Sequence, residues 1–479
     1  MSLDARLLGT SGLPDPLGPL ASLPVVVIGA GPIGLAAAAH LLARGETPLV
    51  LETGPSVGAS ILKWAHVRVF SPWQYMVDGA AAALLERAGW TAPAAEKLPT
   101  GGELFAQYLQ PLAALPDIAP RLHLNTLVVS VARQGFDKMK TPGRDEAPFV
   151  VRVSQSGVEQ EILAKAVIDA SGTYTRPNPL GGNGVPAIGE ATCADRIVYG
   201  IPDVLGTDRA RYAGRRVMVV GSGHSAFNAL IELGKLAAEV PETRVTWAIR
   251  RSDLRQLFGG ESADMLPARG ALGMTVRSMV DAGSLTLVTG FRVTRLERTD
   301  EGIVVSSLDR DLEPVDELIG ATGFRPDLSL FAELRVDLDA AVEAPSALAP
   351  LIDPNVHSCG SVPPHGEAEL RHPEAGFYIV GMKSYGRAPT FLMLTGYEQV
   401  RSVAAAISGD MEAARDVQLV LPETGACSSG LADASAGATE SLSAVCCGTS
   451  PQDDQAATSL IPILAGATLT TPSSAATCG

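Results

Sequence analysis

Residues 25–54 read VVVIGAGPIGLAAAAHLLARGETPLVLETG, and the fold follows from this stretch. Val25–Ile28 is an apolar run suited to a buried strand. Gly29-x-Gly31-x-x-Gly34 comes next, then an alanine-rich run of helical composition, then a second apolar run, Pro48–Leu51, ending in Glu52. Gly29 suits the tight turn, Gly31 lets a diphosphate approach the backbone, and Gly34 lets the helix lie close to the strand. Pro32 and Ile33 open that helix, whose free N–H groups face an anion. Glu52 is placed to accept hydrogen bonds from ribose hydroxyls. A lone glycine triplet says little, but strand, loop, helix, second strand and acid in this order predict a dinucleotide site.

The pattern recurs at Arg215–Gly234, RRVMVVGSGHSAFNALIELG, as Gly221-x-Gly223-x-x-Ala226 with His224 and Ser225 inside the loop. Alanine in the third position still permits close packing. The following strand, VTWAI, runs into Arg250-Arg251 where an acid would bind a 2′-hydroxyl and repel a 2′-phosphate. Arginine there attracts the phosphate through charge-assisted bonds, so NADPH is expected over NADH. The bland reading of both arginines is solvation at the surface. His224 is expected to face phosphate or solvent, and not to act as a base.

Composition narrows the class. The chain has 479 residues, 46% hydrophobic and 19% charged, with a formal net charge of -15. That length calls for two or three domains, and the acidity argues against nucleic acid or an anionic membrane as partner. No basic leader with an apolar run is visible near the N-terminus, and the most apolar stretch, Val25–Ala39, is too short to span a bilayer. With no Cys-x-x-Cys among six cysteines, a reducing, cytoplasmic setting is expected. Residues 121–135 and 149–172 read as strands, with a charged, proline-containing surface loop between them. Residues 394–409 read as a helix stopped by glycine. Past Arg415 the chain has no Lys or Arg, so residues 411–479 read as a disordered, cysteine-containing tail. Its LPETG lacks the apolar span and basic end of a wall-sorting signal.

The first glycine unit resembles that of FAD-binding flavoproteins, with Val57-Gly58-Ala59 similar to their second glycine step. The whole arrangement resembles flavoproteins with two dinucleotide-binding domains. Asp169-Ala-Ser-Gly172-Thr leads into an inserted domain, Ala321-Thr-Gly323-Phe-Arg-Pro leads out, and Gly376–Val400 resembles the last flavin segment. The resemblance implies an α/β fold of two Rossmann-like domains. It implies a 1–22 arm, an FAD domain at 23–205 and 319–410, an inserted NADPH domain at 206–318, and the 411–479 tail. It adds Gly58, Val128, Gly172, Gly323, Gly381 and Thr390 to the cofactor contacts.

Relatives of this architecture divide by electron acceptor. No cysteine pair lies in either unit, which argues against disulfide reduction, and GSGHSA resembles the loop of flavin-containing and N-hydroxylating monooxygenases. That resemblance implies hydride transfer from NADPH to flavin, then oxygen transfer from a flavin hydroperoxide to a soft nucleophile. The FxGxxxH motif of two subfamilies is absent: the corresponding stretch, AIGEATCADRIVYGIPD, has neither Phe nor His. Trp64, Ser71 and Trp73 are candidates to lie by the flavin ring. Lys383, Tyr385 and Arg387 are candidates to stabilise negative charge there. The alternative for all of them is core packing or loop solvation.

The tail carries Cys427, the vicinal pair Cys446-Cys447, and Cys478. Thiolates are soft ligands, and the chain resembles flavoprotein monooxygenases of arsenic-resistance operons. That implies trivalent arsenicals as substrate, with Cys427, Cys446 and Cys447 as metalloid ligands. Other readings are N- or S-oxygenation of small molecules, a flavin reductase serving a protein or metal acceptor, and a redox sensor. Residues 255–290 have a definite pattern without an assignable role.

Overall fold

The computed structural model describes residues 20–254, 257–260, 262, 264, 266–356, 362–388 and 391–419. Thr390, Cys359 and all four tail cysteines fall outside the described residues. The strands are β1 (Val25–Ile28), β2 (Pro48–Leu51), β3 (Leu122–His123), β4 (Thr126–Arg133), β5 (Phe149–Gln155), β6 (Val158–Ala164), β7 (Ala166–Asp169), β8 (Ile197–Tyr199), β9 (Arg216–Val220), β10 (Arg244–Ala248), β11 (Thr286–Val288), β12 (Arg295–Thr299), β13 (Gly302–Ser306), β14 (Glu317–Gly320) and β15 (Phe377–Ile379).

They build the same sheet twice. The first is parallel, in the order β15-β7-β1-β2-β3, and the second is parallel in the order β8-β14-β9-β10-β11. In each, the first strand is central and feeds a helix, Pro32–Ala43 or His224–Glu239. Val25–Ile28 and Val217–Val220 are almost wholly buried, as strands covered on both faces must be. Each unit also has an antiparallel excursion before its third central strand: the meander β4-β5-β6 in the first, the hairpin β12-β13 in the second.

Two details depart from the sequence-based expectation. Residues 121–135 are not one strand. Leu122–His123 joins the first sheet, Asn125 turns the chain with φ 53°, and β4 belongs to the meander. The edge strand β8 pairs with β14, so residues 197–199 belong to the second sheet, although the expected boundary at 206 placed them in the first domain. The physical reason is an edge: β14 has a free side that β8 fills. The two linkers between the units run together near residue 177. Pro177 bridges Phe324, Asn178 N–H donates to the Gly323 carbonyl at 2.9 Å, and Tyr174 stacks on Phe324 at 4.7 Å between centroids.

The loop expected at the surface, residues 136–148, also sends one side chain inward. Arg144 is 1% exposed and donates to Glu374 Oε2 at 2.8 Å, while Arg133 at the end of β4 donates to Oε1 at 2.7 Å. Two buried guanidiniums on one buried carboxylate fasten the meander to the approach to β15. Glu374→Gln leaves both cations uncompensated, and a loss of about 3–5 kcal/mol is expected, measured by urea unfolding.

Candidate active site

The first glycine loop is shaped by carbonyls. Gly29 has φ +99°, donates its N–H to the Leu51 carbonyl at 2.7 Å, and lies so close to the end of β7 that a Cβ would stand 2.8 Å from the Ala170 oxygen. A Cβ on Gly34 would overlap the Gly29 carbonyl oxygen. Around Gly31 nothing lies within 4 Å of a built Cβ, and as N-cap of Pro32–Ala43 it supplies no side-chain acceptor. The first-turn N–H groups therefore face open space, which fits a diphosphate.

Glu52 is 8% exposed, and its carboxylate is in part already used. Oε2 accepts from Ala30 N and Oε1 from Gly54 N, each at 2.8 Å. It locks the glycine loop to the end of β2, and the remaining lone pairs are what is left for ribose hydroxyls. Gly58 closes the same corner, donating to the Ala30 carbonyl at 2.9 Å. Gly172, at the end of β7, has open space around it, and Gly381, at the end of β15, abuts Ile33. The Val128 side chain is packed in the core between sheet and meander, and its backbone pairs with Val153.

The second loop repeats this construction. Gly221, φ +131°, donates to the Ala248 carbonyl at 3.1 Å, and a Cβ on it would overlap the Ala321 oxygen. Gly223 is an uncapped N-cap with open space around it, and Ala226 is 0% exposed. Ser225 is half-buried in the first turn of that helix. His224 is half-buried. Its ring packs on Phe70 at 5.2 Å and Phe227 at 5.9 Å, and burial, with Arg269 nearby, pulls its pKa to about 4. It is neutral at pH 7 and sits where the two units meet.

Arg250 follows β10, where a ribose-binding acid would stand. Burial first, then the guanidiniums of Arg292, Arg387 and Arg251, hold it below the ordinary arginine range. Arg387, expected at the flavin, instead belongs to this cationic group, with its guanidinium beside Gly184 and 4.0 Å from Glu343. Gly323 lies against Asn178, whose side chain and the Gly184 carbonyl hold Arg325 at 2.8 and 3.0 Å. Arg292 belongs to no pattern legible in the sequence; only the fold brings it here.

The other flavin-side candidates are differently placed. Lys383 is 2% exposed, and its ammonium lies 2.6 Å from Asp169 and 3.1 Å from Ser171 Oγ. Its charge is consumed by that buried pair, which joins β7 to the turn after β15, so its expected role toward a developing anion is corrected. Tyr385 is a core residue beside His365 and Phe391, and burial pushes its phenol up. Trp73 is 1% exposed, and its indole N–H is buried without a partner among the described residues.

Residues 266–281 supply what the sequence left without a role. The helix Pro267–Asp281 packs on His224–Glu239, and Arg269 pairs with Asp264 at 2.7 Å. With Phe70, Gln74 and Tyr75 of the first unit, Leu266–Ala268 lines a cavity of about 320 Å³.

Gly31→Ala and Gly34→Ala separate binding from folding. Gly31→Ala is expected to fold with near-normal stability yet lose FAD, because its methyl enters only the space for the diphosphate. Gly34→Ala is expected to lose both. FAD content after gel filtration, read beside thermal unfolding, checks this.

The model of the pyridine nucleotide-disulphide oxidoreductase family matches residues 26–346. Indole-3-pyruvate monooxygenase YUCCA1 of Oryza sativa subsp. japonica is 29% identical over 45% of this chain and 46% of its own. A ferredoxin–NADP reductase of Ralstonia pickettii is 33% identical over 29% of its length, so the chain spans less than half of either. A ferredoxin–NADP reductase of Salinispora tropica is 27% identical over 66% of this chain and 78% of its own. The fold matches the bacillithiol disulfide reductase of Bacillus cereus (TM-score 0.60, 20% identity, covering 81% and 99% of the two chains). It also matches the cadaverine monooxygenase DfoA of Erwinia amylovora (0.57, 14%, 84% and 98%). No helix among the described residues is long and apolar enough to cross a membrane. The chain belongs to the pyridine nucleotide-disulphide oxidoreductase family.

Proposed function

We propose that this oxidoreductase is an NADPH-dependent monooxygenase that transfers oxygen to a small, soft nucleophile. The observation that carries the reading is the state of the thiols. The sequence has no Cys-x-x-Cys, and Cys193, the only described cysteine, is 0% exposed inside the second unit's core. No described thiol is therefore in position to pass electrons to a disulfide. Bound FAD supplies hydride acceptance and oxygen activation.

The chain's own residues bind, orient and shield. The two uncapped helix N-termini hold the diphosphates, and Arg250, with Arg292 and Arg387 beside it, holds the 2′-phosphate. Glu52 fixes the first loop so that the adenosine end has one position. The cavity beside Phe70 and Tyr75 is the entrance for a small substrate, its size fitting a metalloid oxyacid, an amine or a sulfide rather than a macromolecule. Trivalent arsenicals are the favoured substrate, on the resemblance to arsenic-operon flavoproteins and the tail thiols. The lone pair on As(III) is the nucleophile this chemistry needs.

A second reading, an NADPH-dependent reductase serving a protein acceptor, is favoured by the Salinispora relatives, whose length the chain largely spans. Oxygen uptake and NADPH oxidation by the FAD-loaded enzyme distinguish the two. A trivalent arsenical is expected to stimulate both, with pentavalent arsenic formed in step. Unchanged rates remove arsenic, and rapid anaerobic reduction of an added ferredoxin favours the reductase. Arg250→Ala and Arg292→Ala are each expected to raise KM for NADPH about tenfold or more and leave KM for NADH unchanged, since a lost charge-assisted bond is worth about 1.5–3 kcal/mol. Equal effects on both nucleotides would remove the 2′-phosphate assignment.

A further inference from the structure

Where the two units meet, three side chains converge that neither dinucleotide site employs. His66 belongs to the segment following the short helix Ala59–Leu62 of the first unit. Asp203 lies just beyond β8, and Glu232 is in the middle of the helix His224–Glu239 of the second. One ligand atom of each lies within 4.8 Å of the other two. No described hydrogen bond or ion pair joins any of them to another. His66 Nε2 and Glu232 Oε2 are moreover buried without any hydrogen-bond partner among the described residues. Native proteins seldom leave such atoms unpaired unless a ligand satisfies them. Asp203 is held in place by the turn after it, with Oδ2 accepting from Thr207 N at 2.9 Å and Thr207 Oγ1 at 3.3 Å, while no described bond uses Oδ1.

We propose that His66, Asp203 and Glu232 form a binding site for a divalent transition-metal cation of the zinc class, which ties the two nucleotide-binding units together. The donor set selects the metal. An imidazole disfavours calcium and magnesium, which take oxygen ligands, and the absence of sulfur disfavours copper(I). One nitrogen and two oxygens are the ligand types of three-ligand zinc sites, which keep a fourth position for water. Across a tetrahedral ion with bonds of about 2.1 Å, ligand atoms stand about 3.4 Å apart, so the three close on the ion by small side-chain movements. Because His66 comes from the first unit and Glu232 from the second, an occupied site holds the helix that starts at the second glycine loop against the segment leading to Phe70.

The test uses the FAD-loaded full-length chain, stripped with EDTA and dialysed, then titrated calorimetrically with zinc chloride and separately with manganese chloride. Wild type is expected to bind one more equivalent of zinc than either His66→Ala or Glu232→Gln, and one equivalent of manganese that both variants bind at least tenfold more weakly. Both variants are expected to retain wild-type FAD content and metal-free thermal midpoint. Tail thiols take zinc equally in all three proteins and take manganese poorly, so the difference isolates this site. Equal stoichiometry and affinity in all three would overturn the proposal. If the variants fail to fold, electron spin-echo spectroscopy of manganese bound to wild type decides. Nitrogen coupling from a coordinated imidazole supports the site, and its absence from bound manganese overturns it.

Discussion

The close approach of a glycine to the end of a neighbouring strand organises both halves of this protein. Gly29 meets the carbonyl of Ala170, and Gly221 meets that of Ala321. In both units the first strand's turn borrows a hydrogen bond from the second strand and lies against the third. No side chain fits at that point, so the chain must turn there and start a helix aimed at open space. The glycine triplets and the Asp-Ala-Ser-Gly and Ala-Thr-Gly motifs, far apart in sequence, are two sides of one contact. The five-stranded order, the helix position and the diphosphate site all follow from it.

Charge is handled in two distinct ways. In the interior, charges are paired: Lys383 with Asp169, Arg133 and Arg144 with Glu374, Arg269 with Asp264. The first two join segments distant in sequence, the third is local, and in each case removing one partner strands the other in low dielectric. After β10 the opposite holds. Arg250 is crowded by guanidiniums, and no described carboxylate forms an ion pair with Arg250 or Arg292. Mutual repulsion of this kind is relieved by an anion. The same contrast explains the reassignment of Lys383 and Arg387. Both are basic residues in one short segment, yet one is held in a buried pair with Asp169 and the other is half-exposed, 4.0 Å from Glu343 and near Arg250.

The fold shared with a disulfide reductase and with an amine monooxygenase does not separate their chemistries, because function resides in the groups placed on the scaffold. Here those groups are the buried thiol of Cys193, a small cavity between the units, and a neutral His224 against Phe70. The last two are interfacial features. They depend on how the second unit rests on the first, a relation carried by the paired linkers near Pro177 and Phe324.

Local pattern determined much of this protein. Runs of buried β-branched residues, glycines at fixed spacing, and arginine in place of acid after the second strand each act over a few neighbouring residues. Both Rossmann-type units and their order were therefore legible in the sequence. Tertiary structure decided the rest. Strand β8 joined the second sheet because β14 offered an open edge. Arg144 left its surface loop because Glu374, 230 residues away, had a free oxygen. Lys383 lost its expected role to Asp169, and Arg292 came to stand beside Arg250. Such outcomes depend on pairing between residues remote in the chain, and electrostatic and hydrogen-bond partners across that distance leave no periodic trace in sequence.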